Sequence, residues 1–333
     1  MRGLGVIAGA LALAGCAQVG PAPVVGAPDV PRTERSFPGE ADFAFAVLGD
    51  RTGRARTGVF EEAVARVGQL RPDFVLSVGD LIEGNTEDRT QLDREWDEIE
   101  QAIGQLDVPF FYVPGNHDLT NQVQLAEWQR RFGATYYSFT YKDVLFLILN
   151  TEDPPQPKIA RARLLREYGA EAMGKVMAAL QRNPTQLDPD IASDPTLAAL
   201  AQRIIASENV AISADQLAMV RRALAQNPSP RWTFVLLHRP AWKIGSPAFQ
   251  EIETLLANRP HTVLAGHYHK YVHEQRKGRD YIQLGTTGGM PGAGSDDPAA
   301  VDHVMWIAMT GNEPRISNIR LDGLFDKRGQ RSK

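Results

Sequence analysis

Five short polar clusters hold the residues of this 333-residue chain that suit catalysis or metal binding. They are GDRTG with Asp50, VGDLIEG with Asp80 and Glu83, VPGNHDL with Asn116, His117 and Asp118, LLHRP with His238, and AGHYHK with His267 and His269. Each follows directly on an apolar run, which is not how polar residues are placed in a hydrophobic core. Aspartate and asparagine supply hard oxygens and histidine a borderline nitrogen, the mixture that suits manganese, iron or zinc. His267 and His269 lie two apart beside a strand, so both side chains can face one side. A carboxylate can bridge two cations while imidazoles and an amide oxygen complete each shell. Cations about 3.5 to 4 Å apart can then clamp a phosphate and generate hydroxide from water near neutral pH. An imidazole beside a carboxylate, as in His117-Asp118, fits the raised pKa and fixed tautomer that a general acid requires.

The elements that must position these clusters are the runs that precede them. FAFAVL (43–48), FVLSV (74–78), FFYV (110–113), VLFLIL (144–149), WTFVLL (232–237), TVLA (262–265) and YIQL (281–284) read as strands, seven at a conservative count. Between them, Val59, Phe60, Ala63, Val64, Val67 and Leu70 recur at helical spacing, as do Leu92, Trp96, Ile99, Ile103 and Leu106. Ser213 with Gln216 three residues on has the pattern of a capping box before Leu217, Val220 and Leu224. The alternation predicts an α/β or α+β layered domain with its site in the loops at the carboxyl ends of the strands. The connection from Glu152 to Ile212 breaks the rhythm. It predicts a helix over about 158–180, a break at NPTQLDPDIASDP and a shorter helix over about 197–206, forming either a lid or a surface insertion.

The totals set outer bounds. A net charge of −4 and a pI near 6.0 give no reason to expect a nucleic-acid scaffold as partner. The opening MRGLGVIAGALALAGCAQ has a basic residue, an apolar stretch too short to span a bilayer, and Leu13-Ala14-Gly15-Cys16, which resembles a lipobox. The expectation is a signal peptide over 1–15, lipid on Cys16, and a proline-rich tether over 16–39 that anchors an exported protein to the bacterial cell envelope. The folded domain is expected over 40–325, with the helical insertion at about 153–212 and a basic tail at 326–333. Cys16 is the only cysteine, so no intramolecular disulfide is possible.

Taken in order, Asp50, Gly79-Asp80, Gly115-Asn116-His117-Asp118, His238 and Gly266-His267-Tyr268-His269 resemble the motifs of the calcineurin-like metallophosphoesterases over roughly residues 43–290. The resemblance implies a four-layer αββα sandwich of two mixed sheets flanked by helices, and two divalent or trivalent metal ions (manganese, iron or zinc) at the strand ends. It implies that Asp50 and His269 hold the first metal, Asp80 bridges, and Asn116, His238 and His267 hold the second. His117 would serve as acid or charge stabiliser, with Asp118 orienting it. The implied reaction is hydrolysis of a phosphate mono- or diester by a metal-activated hydroxide. The glycine-rich GTTGGMPGAG (285–294) resembles the stretch that borders the site in this family.

One position departs from the pattern: the family's Asp-x-His reads Asp50-Arg51-Thr52 here. Three readings stay open. Thr52 is inert and water takes the imidazole's place; or Glu83, three residues after Asp80, compensates; or the first site stays empty and the protein only binds phosphorylated ligands. Arg51 and Arg239 are candidate phosphate contacts, since guanidinium suits bidentate contact with phosphate oxygens. His261, His273 and His303 lie outside every cluster and read as structural or surface residues, and Trp96, Trp128 and Trp232 as core.

Overall fold

The computed structural model describes residues 41–155, 161–182, 187–207, 209–290, 301–321 and 323–326. Its strands are β1 (Phe43–Leu48), β2 (Phe74–Ser77), β3 (Phe110–Phe111), β4 (Tyr137–Tyr141), β5 (Val144–Ile148), β6 (Trp232–Leu236), β7 (His261–Ala265), β8 (Val272–Arg276), β9 (Arg279–Gln283), β10 (His303–Thr310), β11 (Glu313–Arg320) and β12 (Gly323–Asp326). Its helices are α1 (Val59–Leu70), α2 (Arg89–Ile103), α3 (Gln122–Phe132), α4 (Arg161–Arg182), α5 (Pro189–Ser193), α6 (Pro195–Ser207), α7 (Ala214–Gln226), α8 (Ala241–Ile244) and α9 (Pro247–Leu256). All seven predicted strands are present. The additional ones are β4, β8 and the β10–β12 meander; β4 and β8 are largely half-exposed and carry no long apolar run, whereas β10 holds the apolar run VMWIAM (304–309) that the conservative count left out.

The strands form two six-stranded sheets, ordered β12-β11-β10-β1-β2-β3 and β4-β5-β6-β7-β9-β8. In the first, β1, β2 and β3 run parallel; in the second, β5, β6, β7 and β9 do. Parallel strands end on one side, so the loops that follow them share an edge. Between the sheets Phe45 meets Phe146 and Phe234 edge-on at ring-centre distances of 5.3 and 5.1 Å, and Phe74 meets Phe146 at 5.4 Å. Outside the first sheet, buried Phe60, Ala63, Val64 and Val67 of α1 pack with Trp96 and Ile99 of α2 and Trp128 of α3. Outside the second sheet, α7 and α9 bury Val220, Leu224, Phe249 and Ile252. The result is the expected four-layer sandwich of two mixed sheets between helices.

The insertion has a separate small core. Leu164, Met173 and Val176 of α4 pack with Ile191 of α5 and with Leu200, Ala201 and Ile204 of α6. Within α4, Gly169 leaves helical geometry at φ 81° and ψ 165°, a conformation favourable to glycine. The insertion closes on itself where Ala211 donates to the Thr151 carbonyl and Asp153 to the Ala211 carbonyl, at 2.8 and 3.0 Å. At α7 the capping box is only half formed. Ser213 Oγ accepts from the Gln216 backbone amide (3.4 Å), whereas the Gln216 side chain turns inward to Asn150 and Asp153. Among the described residues no helix is long and apolar enough to cross a membrane. Cys16, the expected signal peptide, the tether and residues 327–333 lie outside the described residues.

Candidate metal centre

The loops after β1, β2 and β3 bring three carboxylates together. Asp50 is fully buried; its Oδ1 accepts from the His267 backbone amide (2.9 Å), and its Oδ2 has no hydrogen-bond partner. Burial raises its pKa, against the attraction of His238 and His269. Asp80 sits at φ 56°, and its Oδ1 accepts from the His117 amide (2.7 Å) while Asn116 Nδ2 donates to its Oδ2 (3.3 Å). Glycine is required beside both carboxylates. A Cβ on Gly115 would lie 2.3 Å from Asp80 Oδ1, and one on Gly266 would lie 2.4 Å from Asp50 Oδ2. Asp118 accepts from the backbone amides of Asp80 and Gly115 (2.8 Å each), Leu81 (3.0 Å) and Ile82 (3.3 Å). Burial pushes it up to about 7, helped by the neighbouring Asp80.

Imidazoles arrive mainly from the second sheet. His238, after β6, is buried, and its Nδ1 donates to the Val78 carbonyl (2.8 Å), which leaves Nε2 facing Asp80 Oδ2 at 3.2 Å. His269, after β7, likewise directs Nδ1 to the Met290 carbonyl (2.5 Å) and Nε2 toward Asp50 Oδ1 (3.7 Å). His267 places Nδ1 3.3 Å from His238 Nε2. A second-sphere carbonyl that fixes the imidazole tautomer is a usual device at metal-binding histidines. His267 and His269 hold left-handed backbone, φ 80° and 54°, a conformation uncommon outside glycine. His117, on the first sheet's side, has Nδ1 2.8 Å from the Glu83 carbonyl, with Asn85 Nδ2 2.9 Å away.

Two sets of donors result: Asp80, His238 and His267, and Asp50, Asp80 and His269. In each set the ligand atoms lie within 4.8 Å of one another. The surroundings fit a cation. Burial alone would lower the pKa of His238, yet Asp80, Asp50 and Glu152 raise it to about 9, so the local field favours positive charge. Asp50 Oδ2, buried and without a hydrogen-bond partner, is the kind of atom a metal ion satisfies.

Several expectations change. Asp118 orients the Asp80 loop rather than the His117 ring, because its two oxygens are taken by four backbone amides. Arg51 turns away from the centre, pairing with Glu98 of α2 and donating to the Leu81 carbonyl (3.4 Å), so it is not placed as a phosphate contact. Arg239 is buried, and its Nε donates to Glu152 Oε1 at 2.6 Å, so its charge is balanced by a buried carboxylate; its Nη1 lies 3.4 Å from His267 Nε2. Glu83 belongs to neither donor set; its Oε1 accepts from the Ala55 amide (2.7 Å). The Glu152–Arg239 pair adds a sixth polar cluster at a strand end, LNTED after the fourth predicted strand. The carbonyls of Val78, Glu83 and Met290 left no sequence signal at all, since a backbone group is common to every residue type.

The glycine-rich segment borders the centre as expected, through Met290. Thr287 and Gly289 donate backbone amides to the Asp50 carbonyl at 2.9 and 3.1 Å. Beneath it, buried His303 accepts from the Gly285 amide through Nε2 (3.0 Å) and pairs through Nδ1 with Asn318 Oδ1 (2.9 Å). Trp96 and Trp128 are core, whereas Trp232 is half-buried and donates to Thr262 Oγ1 (3.1 Å).

The family model for calcineurin-like phosphoesterases matches residues 43–271. The serine/threonine-protein phosphatase CPPED1 of Mus musculus is 33% identical over 111 residues, 31% of this chain and 35% of the relative. The matched part thus spans about a third of that relative's length. Among solved structures, a dimetal phosphatase from Danio rerio superposes with TM-score 0.52 at 14% identity, covering 86% of this chain and 96% of that one. PhoD superposes with TM-score 0.55 at 10% identity, covering 87% and 68%. At such identities the structures speak for the fold. With the family model spanning more than half of the sequence, the chain belongs to the calcineurin-like phosphoesterase family.

Proposed function

We propose that the protein hydrolyses phosphate esters at a pair of metal ions, one held by Asp50, Asp80 and His269 and the other by Asp80, Asn116, His238 and His267. The observation that carries this reading is that Asp80 belongs to both donor sets, each gathered within 4.8 Å. Metal ions at these positions supply Lewis acidity toward phosphoryl oxygens and activate water as nucleophile. The chain's own groups supply the rest. Asp118 fixes the Asp80 loop through backbone amides, and the Val78 and Met290 carbonyls keep the His238 and His269 lone pairs aimed inward. His117, with Nδ1 donating to the Glu83 carbonyl, would in its imidazolium form deliver the Nε2 proton to the leaving-group oxygen and become the neutral ring.

The phosphatase names of the relatives support the reaction class, and monoester and diester substrates both belong to the proposal. The test is turnover of p-nitrophenyl phosphate and its bis-ester by purified protein supplied with manganese, zinc or iron, beside Asp80→Asn. Hydrolysis that disappears in the variant supports the reading. A folded protein inactive with every metal overturns it in favour of a phosphate-ligand-binding lipoprotein with a degenerate first metal site. The lipid anchor and envelope location belong to the same proposal; Cys16→Ser is expected to move the protein from the membrane to the soluble fraction.

A further inference from the structure

Thr52 stands where the family pattern has histidine, and its surroundings give the hydroxyl a task. Thr52 is fully buried, and its Oγ1 has no hydrogen-bond partner. Among the described residues only five buried polar side-chain atoms are in this condition, and two of them, Thr52 Oγ1 and Asp50 Oδ2, belong to the one loop after β1. A buried hydroxyl left unpaired is destabilising, and a buried carboxylate oxygen more so. Two such atoms in one loop therefore point to a shared partner.

The position adjoins every member of the Asp50/Asp80/His269 set. Thr52 follows Asp50 by two residues, and its backbone amide donates to the Asp80 carbonyl (3.1 Å). The next residue, Gly53, lies against the His269 ring so closely that a Cβ would come 2.6 Å from its Cε1. Arg51, between Asp50 and Thr52, sends its guanidinium the other way, to Glu98. Behind Thr52 stands Glu83. Burial disfavours its charge, but the Ala55 amide on its Oε1 (2.7 Å) leads the contacts that hold it below the usual carboxylate range, and the Thr52 hydroxyl lies close by. The hydroxyl and carboxylate are thus neighbours whose separation or angle falls outside hydrogen-bond geometry. A hydroxyl next to a carboxylate can turn its proton there and present a lone pair elsewhere.

We propose that Thr52 Oγ1 is the fourth donor of the Asp50/Asp80/His269 set, which makes that set selective for a hard, oxygen-preferring cation such as Mn2+. The inference rests on the two-cation reading above. Counting donors, the first set then offers three oxygens and one imidazole, and the second, with Asn116, two oxygens and two imidazoles. Oxygen-rich sets suit Mn2+ and Mg2+, whereas added imidazole favours Zn2+ and Fe2+. The replacement of histidine by threonine is in this view a change of metal preference, and the two places take different ions.

The experiment strips the full protein of metal and titrates it with Zn2+ and Mn2+, singly and together. Retained metal is measured by elemental analysis after desalting, and bound Mn2+ by electron paramagnetic resonance, with no turnover required. One Zn2+ is expected to bind tightly and a second at least about tenfold more weakly, with Mn2+ filling the remaining place. Thr52→Val, of the same shape without the hydroxyl, is expected to lose Mn2+ affinity by about tenfold or more, with the tight Zn2+ retained and the thermal midpoint of the metal-free protein not lowered. Thr52→Ser should keep Mn2+, and Thr52→His should give two tight Zn2+ per chain; these two decide the matter if Thr52→Val does not fold. Mn2+ binding by Thr52→Val equal to the parent, or two equally tight Zn2+ in the parent, overturns the inference and leaves the two-cation reading standing. A parent that retains no cation at all overturns the two-cation reading itself.

Discussion

The loops of the two sheets hold their functional groups by opposite means. After β1, β2 and β3 the carboxylates are held by backbone N–H: His267 on Asp50, His117 on Asp80, and four amides on Asp118. After β6 and β7 they are imidazoles held by backbone carbonyls, Val78 on His238 and Met290 on His269. The bracing also crosses the centre. Asp50 of the first sheet is held by an amide from the second sheet's loop, and His238 of the second by a carbonyl at the end of β2. Neither half is fully oriented without the other, which is how flexible side chains become a preorganised set.

Breaking the shared element should have the largest effect. Asp80→Asn is expected to lower hydrolysis by about a thousandfold or more and to weaken both cations, since Asp80 serves both sets; metal analysis and steady-state kinetics check this. Next come the two arginines, which follow strands of different sheets. Arg239→Ala leaves the Glu152 carboxylate buried and uncompensated, an expected loss of about 3 to 5 kcal/mol in urea unfolding. Replacing both partners together, Arg239→Met with Glu152→Gln, should recover much of it.

A pH experiment tests the support beneath the glycine-rich segment that follows β9. Burial lowers the His303 pKa from 6.5 to about 4, so the folded chain keeps the ring neutral while the unfolded chain binds a proton between those values. Stability should therefore fall as pH drops from 6.5 toward 4, by about 3 kcal/mol at the full extent, and be indifferent to this group above that window. Denaturant unfolding at several pH values measures it, and His303→Gln should flatten the slope. The smallest effect belongs to Arg51→Ala. Its partner Glu98 is largely exposed, so the expected cost is about 1 kcal/mol or less, with KM for p-nitrophenyl phosphate within about twofold of the parent. A large rise in KM would restore Arg51 as a phosphate contact.

The two donor sets were legible because their side chains stand directly behind apolar strands: Asp50, Asp80, His238, His267 and His269 need no long-range information to be noticed. What fixes them was not legible. Val78, Glu83 and Met290 act through their carbonyls, and Glu152 reaches Arg239 across 87 residues. The same applies to the fold. Strands buried on both faces, such as β1 and β5, read as continuous apolar runs, whereas β8, with Val272-His273-Glu274-Gln275-Arg276, is polar because it lies at a sheet edge. The spacing from Ser213 points Gln216 to a local cap, whereas its side chain reaches Asn150, 66 residues away, a choice made by tertiary packing.

The rings of Phe45, Phe74, Phe146 and Phe234 that join the two sheets have a consequence in time as well as in space. Each donor set draws on both sheets, Asp50 and Asp80 from one, His238, His267 and His269 from the other. A chain with only one sheet formed holds the donor carboxylates without the donor imidazoles, or the reverse. Affinity for cations therefore arrives with the closing of the sandwich, and every cation bound there becomes part of the work needed to pull the sheets apart.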